Sequence, residues 1–198
     1  MARLTREQSQ ALTREKLLRS AGEAVARHGY EGATVERIAE EAGYSKGAFY
    51  SNFSSKEDIL LQLLEGNAGQ DVLQLAELLA DVSDPGTVVE AIAHWSDARG
   101  AEQKWGIIAI EFLRRARHDG TLGERQRQLF ISQWEEVGNL LIRKLSLETH
   151  LDALDVGGIV LELTYGGISS FLNANTPGQM VRHVLTALLD SSRMAHAE

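Results

Sequence analysis

The 198-residue chain contains no cysteine, which excludes a disulfide framework, a thiolate metal site and a cysteine nucleophile. It has only two prolines, in Asp84-Pro85 and Thr176-Pro177. Each reads as an N-cap followed by proline at the first helical position, where the missing N–H costs nothing. No run of apolar residues is long enough to span a bilayer, and the oiliest stretch, around Ile159, is interrupted by Glu162. The opening Met-Ala-Arg-Leu-Thr-Arg-Glu lacks the apolar core of a signal peptide, so a cytoplasmic location is expected. Catalytic signatures are also missing: there is no G-x-S-x-G, H-E-x-x-H, P-loop or G-x-G-x-x-G. The six histidines are scattered, with no pair four apart to hold a metal. Neither an enzyme nor a cofactor or metal site is expected.

What the chain does have is an excess of acid, with a net charge of −8, which argues against indiscriminate binding to polyanions. That charge is uneven. Residues 1–65 are nearly neutral, and positions 42–56 hold Lys46 and Lys56 with no acid at all. An acid-free window in an acidic chain is a local footprint suited to phosphate. β-Branched alternation never persists, whereas helical spacing and N-cap signals recur, so the fold class is all-α with about nine helices. The helices are expected at 13–28, 34–42, 45–51, 55–80, 85–98, 101–118, 121–146, 152–173 and 177–193. Thr176 with Gln179 and Thr121 with Glu124 read as capping boxes, and Ser55 with Asp58 as a near relative.

Residues 34–53 carry the functional signal. Two short helices that cross steeply need a small residue at their contact, supplied by Ala39, and a tight reversal, which Gly43 allows through positive φ. Ile38, Ala42, Tyr44 and Phe49 are spaced to form their shared core. Ser45 is placed to cap the second helix, whose outer side offers Lys46, Gly47, Ala48, Tyr50 and Asn52. Such a helix suits the major groove, its first turn at base edges and its flanks at phosphate. Glu36, Glu40 and Glu41 read as a solvated face.

The run Gly43-Tyr-Ser-Lys-Gly-Ala-Phe-Tyr-Ser-Asn-Phe-Ser-Ser-Lys-Glu57, preceded by Thr34-Val-Glu-Arg-Ile-Ala and followed by Leu60-Leu61, resembles the tetracycline-repressor (TetR) family over residues 13–65. The resemblance implies a three-helix helix-turn-helix domain over 1–54. It further implies a helical ligand-binding and dimerisation domain over 55–198. It assigns DNA contacts to Thr34, Ser45, Lys46, Gly47, Ala48, Tyr50, Ser51, Asn52 and Lys56. In these roles Lys46 and Ala48 face bases, a lysine suiting guanine and a methyl suiting thymine, while Tyr50 and Lys56 meet phosphate. Ser51 and Asn52 depart from the bulkier aromatic or histidine side chains that many members carry there, which puts the preferred operator in question.

For the body, Trp95, Trp105, Ile108, Phe112, Phe130, Trp134 and Tyr165 are candidates to line an effector cavity, with Gln133, Glu111 or Tyr165 as its polar anchor. Large aromatics also build solid cores. Val156, Ile159, Val160, Leu163 and Phe171, with Val181, Val184, Leu185 and Leu188, form two apolar faces at helical spacing that suit a buried intrachain helix pair as well as a partner; the family resemblance assigns them to a homodimer interface. The small residues Gly157, Gly158, Gly166 and Gly167 would let helices approach closely there. The resulting expectation is a dimeric repressor that binds a palindromic operator in double-stranded DNA and is released by a small apolar or aromatic effector. The competing readings are a helical enzyme and a protein-binding adaptor with no DNA activity.

Overall fold

The computed structural model describes residues 5–102, 104–116, 120–166 and 175–195, with backbone alone at 112, 113, 115, 116, 120–122 and 195. The described residues form nine helices and no strand: α1 (Arg6–Gly32), α2 (Val35–Glu41), α3 (Lys46–Tyr50), α4 (Lys56–Leu78), α5 (Pro85–Gly100), α6 (Lys104–Ala116), α7 (Gly120–Leu145), α8 (Ala153–Tyr165) and α9 (Pro177–Ala195). No described helix is long and apolar enough to cross a membrane.

Caps explain most of the boundaries. α1 begins well before residue 13, because Thr5 and Gln8 form a reciprocal capping box: Gln8 N–H donates to Thr5 Oγ1 at 3.2 Å and Thr5 N–H to Gln8 Oε1 at 2.9 Å. Gly29, with φ +69°, breaks the helical path near its end. The Asp84-Pro85 start is as expected, with Asp84 accepting from Thr87 N–H at 2.7 Å. The Thr176–Gln179 box closes at 2.9 and 3.2 Å. The expected Thr121–Glu124 box rests on a side chain outside the described ones; the Glu124 carboxylate accepts from Arg127 and Gln128. At α4, Ser55 accepts from Asp58 N–H at 3.1 Å, but Asp58 reaches Ser54 rather than closing a box. α8 runs to Tyr165 with Gly166 as its cap, and positions 167–173 of the expected helix lie outside the described residues.

The chain divides into two compact units, Met1–Gly66 with Ile107–Gly123, and Asn67–Gly106 with Glu124–Glu198. Between these units the chain first passes from one to the other inside α4, at Gly66 and Asn67. In the first unit, Leu17, Val25, Ile38, Phe49, Phe53 and Leu60 are buried. Ser20 locks α1 to α2 by donating its hydroxyl to the Ile38 carbonyl at 2.8 Å, inside this core.

In the second unit one apolar cluster joins α4, α5, α7, α8 and α9, including Leu75, Ile92, Val137, Val156, Val181 and Leu185. Here an expectation is corrected. Val156, Val160, Val181 and Leu185, assigned to a partner subunit, are buried in the chain's own core, so an isolated chain already covers them. Leu163 and Leu188 are half-buried against that core; Ile159 and Val184 are half-buried outside it; Phe171 lies outside the described residues. Gly157 and Gly158 serve the same intrachain packing, with Gly138 opposite them, while Gly167 lies outside the described residues. A methyl on Gly138 would lie 1.8 Å from the Ala153 carbonyl oxygen, one on Gly157 1.9 Å from that of Trp134, and one on Gly158 2.6 Å from the Trp134 ring. α7 and α8 thus meet backbone to backbone within one chain.

Candidate nucleic-acid interface and buried polar cluster

The helix-turn-helix is set by two caps and one glycine. Thr34 Oγ1 accepts from Arg37 N–H at 3.2 Å to start α2, and Ser45 Oγ accepts from Ala48 N–H at 3.2 Å to start α3. Between them Gly43 adopts φ +79°, a left-handed conformation costly for any residue with a Cβ. Tyr44 N–H then closes the turn on the Ala39 carbonyl at 2.8 Å. Ile38, Ala39 and Phe49 are buried as expected, while Ala42 and Tyr44 are only half-buried, Tyr44 lying beneath the Lys16 ammonium at 5.9 Å.

Outward, α3 exposes Lys46, Gly47 and Tyr50, with Ala48 half-buried beside them. Tyr50 keeps 52% of its surface in solvent, high for an aromatic ring with no core role. Lys46 is not solitary: its ammonium donates to Glu36 of α2 and lies 6.0 Å from the Tyr50 ring. That hydrogen bond holds the Glu36 carboxyl below its usual range and the Lys46 ammonium above its own.

Three expected DNA contacts are engaged elsewhere. Asn52 turns its Nδ2 back to the Ala48 carbonyl at 2.8 Å, and its Oδ1 is buried with no hydrogen bond. Ser51 is exposed but donates to the Gly47 carbonyl at 2.9 Å, an i−4 bond that competes with groove contacts. Lys56 is half-buried, donating to the Tyr30 carbonyl at 2.9 Å with its ammonium 4.0 Å from the Tyr30 ring centre. The acids Glu36, Glu40 and Glu41 are exposed, as the solvated-face reading has it, and two of them carry surface partners, Glu41 with Arg27 at 2.6 Å and Glu36 with Lys46. A residue not singled out in the sequence, Arg14, braces the head: it donates to the Asn52 carbonyl at 2.6 Å and stacks 4.4 Å from the Phe53 ring centre. Nothing in spacing marks it, because its partner is a backbone oxygen far along the chain.

The aromatic candidates of the body do not converge on one described cavity. Trp95 belongs to the apolar cluster and donates to Gln74 Oε1 at 3.3 Å. Trp105 donates to Glu102 Oε2 at 3.1 Å. Phe130 and Trp134 are half-buried, Ile108 is buried in the other unit, and the Phe112 side chain lies outside the described ones. An open groove of about 310 Å³ between α4 and α7 is lined by Val72, Ala76, Glu136, Asn139, Leu140 and Arg143, and by none of the seven.

Tyr165 instead marks a polar centre inside the second unit. Asp71, fully buried, accepts from Arg99 Nε at 2.8 Å, Tyr165 Oη at 2.7 Å and Gln133 Nε2 at 3.0 Å. Arg99 also reaches Asn67 Oδ1, Glu102 Oε1 at 3.0 Å and Tyr165 Oη at 3.2 Å. Burial pushes the Asp71 carboxyl above its usual range against the pull of Tyr165 and Arg99, and burial beside Asp71 raises the Tyr165 phenol well above its ordinary value. Gln133 and Tyr165, expected to anchor an effector, are thus occupied by Asp71. Glu111 pairs with Arg114 at 3.3 Å. Seven residues before Gln133 and on the same face of α7, Gln126 is buried with neither amide atom hydrogen-bonded. Among the described residues no group of histidines and carboxylates could hold a metal.

A short capped helix that presents a lysine and a tyrosine outward, set on its neighbour through a left-handed glycine, defines a helix-turn-helix DNA-binding head. A family model described as bacterial regulatory proteins, tetR family, matches residues 17–63. The HTH-type transcriptional repressor AcnR of Corynebacterium diphtheriae is 27% identical, the match covering 92% of this chain and 93% of that protein. The HTH-type transcriptional regulator TcmR of Streptomyces glaucescens is 30% identical, over 73% of this chain and 78% of that one. A transcriptional regulator from Saccharomonospora viridis shares the fold, with a TM-score of 0.68 at 20% identity over 92% and 97% of the two chains. The chain belongs to the TetR family, whose members are DNA-binding regulators of transcription rather than enzymes.

Proposed function

We propose that the protein is a cytoplasmic, ligand-responsive repressor that binds a palindromic operator as a homodimer and leaves it when a small molecule enters the second unit. The observation that carries this reading is the outward face of α3, where Lys46, Gly47 and Tyr50 stand clear of the core. Lys46 and Ala48 serve as base readers, Thr34, Ser45 and Tyr50 as phosphate contacts, and Lys56 chiefly as a brace. The repressor sense follows AcnR, which bears that name. Two-fold symmetry would set two recognition helices about 34 Å apart or a multiple of it, to match half-sites on one side of the duplex. Half-buried Ile159, Leu163, Val184 and Leu188 supply the apolar surface for pairing.

For the effector, the aromatic supply of the body supports a mainly apolar molecule, and the unmet amide of Gln126 supports one neutral hydrogen-bonding head group. Arg99 is already engaged by Asp71, Asn67, Glu102 and Tyr165, which disfavours a bare carboxylate as that head. The S. viridis neighbour was solved with choline, a small hydroxyl-bearing cation, so this fold admits small molecules of more than one head-group chemistry. Selection of binding sites from a random duplex library, followed by a release screen read through tryptophan fluorescence, tests the proposal. A symmetric consensus and a compound that releases DNA as it perturbs fluorescence are expected. An unstructured consensus sinks the palindrome, and no release by any compound sinks the sensor.

A further inference from the structure

The pairing of Lys46 with Glu36 has a consequence for how this head discriminates between DNA sequences. Both side chains are more than half exposed and belong to different helices; on the proposed docking of α3 in the major groove, both face the duplex. Glu36 lies in the first turn of α2, where the helix dipole favours its charge. Positions 42–56 contain no acid, so the carboxylate that reaches the recognition helix comes from outside the window that would otherwise be purely cationic. The same ammonium lies 6.0 Å from the Tyr50 ring, whose face adds a weaker hold on it.

A lysine is a compact charge on a flexible stem and meets phosphate oxygen almost as readily as a base edge. Phosphate contacts are the same on every sequence, so a free lysine at this position would raise affinity for all DNA alike. We propose that Glu36 is a specificity-determining positioning residue: by holding Lys46 across the face of the helix-turn-helix, it withdraws that ammonium from random phosphate contacts and yields it only to a base edge that replaces the carboxylate. On random DNA the pair stays closed and the lysine displaces no counterion. On the operator, guanine O6 and N7 accept the ammonium and the pair opens.

The test uses the full chain and a fluorescently labelled duplex of random sequence, with binding followed across a series of salt concentrations. Glu36→Gln removes the charge at constant shape, Glu36→Asp keeps it, and Lys46→Ala removes its partner. Glu36→Gln is expected to bind random duplex roughly three- to tenfold more tightly, with a salt dependence steeper by about one unit, the signature of one extra phosphate contact. Glu36→Asp should behave nearly as the parent. In a Lys46→Ala background, Glu36→Gln should change neither affinity nor slope. A purely structural role for Glu36 would move thermal stability and leave the slope alone. The proposal is overturned if Glu36→Gln leaves random-duplex binding unchanged while the parent binds. It is equally overturned if the gain persists without Lys46, because Glu36 then simply repels phosphate. If no variant, parent included, binds DNA at low salt, the DNA-binding reading falls and takes this one with it.

Discussion

Lys56 and Tyr30 are joined twice, through the ammonium 4.0 Å from the ring centre and through its hydrogen bond to the Tyr30 carbonyl at 2.9 Å. Tyr30 in turn donates its hydroxyl to Glu57, so the start of α4 is bound to the end of α1 by three polar or cation–π contacts. Lys56→Ala should therefore lower the stability of the head, by about 1–2 kcal/mol for a charged hydrogen bond and a cation–π contact that are partly solvated. Urea denaturation checks this. An unchanged midpoint with a large loss of DNA affinity would return Lys56 to the role of phosphate ligand.

Lys46→Ala should lose roughly tenfold or more in affinity for the selected operator and little for random duplex, as expected of a base reader. Asn52→Ala should lose little on either, because its amide is turned back on α3. Quantitative gel-shift on both DNAs decides the matter, and equal losses on both for Lys46→Ala would place it at phosphate.

The Asp71–Arg99 pair is buried, and removing one partner strands the other. Asp71→Leu or Arg99→Met alone should cost about 3–5 kcal/mol, whereas the double replacement should recover most of that loss. Because burial raises the folded carboxyl above its unfolded pKa, protonation of Asp71 favours the fold. That contribution is present at low pH and is lost as pH rises through the raised folded value. Denaturation of parent and Asp71→Asn across the acidic range should show this term in the parent alone. Parallel pH profiles would contradict it.

Dimerisation should separate residues by burial. Sedimentation is expected to give about twice the 21.8 kDa of one chain. Val184→Glu, half-buried, should yield folded monomer, while Val181→Glu, fully buried, should yield unfolded protein by circular dichroism. Folded dimer from Val184→Glu would move the interface off this face of α9.

Two glycine substitutions should move stability in opposite directions. Gly66→Ala places its methyl in open space on an exposed position of α4 and should stabilise by roughly 0.5–1 kcal/mol. Gly157→Ala drives its methyl against the Trp134 carbonyl and should cost about 3 kcal/mol. Thermal unfolding of the two variants reads both effects.

The head was legible in the sequence because its signals are local. Thr34, Gly43 and Ser45 act within three or four residues, and the alternation of Ile38, Ala39 and Phe49 with exposed positions follows directly from helical period. Even there, the Thr5–Gln8 box was a readable T-x-x-Q that moves the start of α1. What stayed hidden depends on distant partners. Arg14 with the Asn52 carbonyl, Lys56 with Tyr30, and Asp71 with Arg99 and Tyr165 bring together residues 26 to 94 positions apart. Composition suggested an apolar, aromatic body, yet its buried centre is ionic, because four separate helices contribute polar side chains to it: Asn67 and Asp71 from α4, Arg99 from α5, Gln133 from α7 and Tyr165 from α8. Apolar stripes on α8 and α9 fit a partner or the chain's own core equally well, and only packing assigned Val156, Val160, Val181 and Leu185 to the latter.

The backbone contact of α7 with α8 through Gly138 and Gly157 also limits where the second unit can give way. Two helices whose main chains touch have no side-chain layer between them to repack, so they neither slide by a fraction of a turn nor part by a little without losing contact altogether. A small molecule entering the unit, as proposed above, would find that seam the hardest place to open and the face of α7 that carries Gln126 and Gln133 an easier one. The pair α7–α8 then behaves as a fixed wall against which the remaining helices breathe, and amide protons along that seam should be among the last in the unit to exchange with solvent.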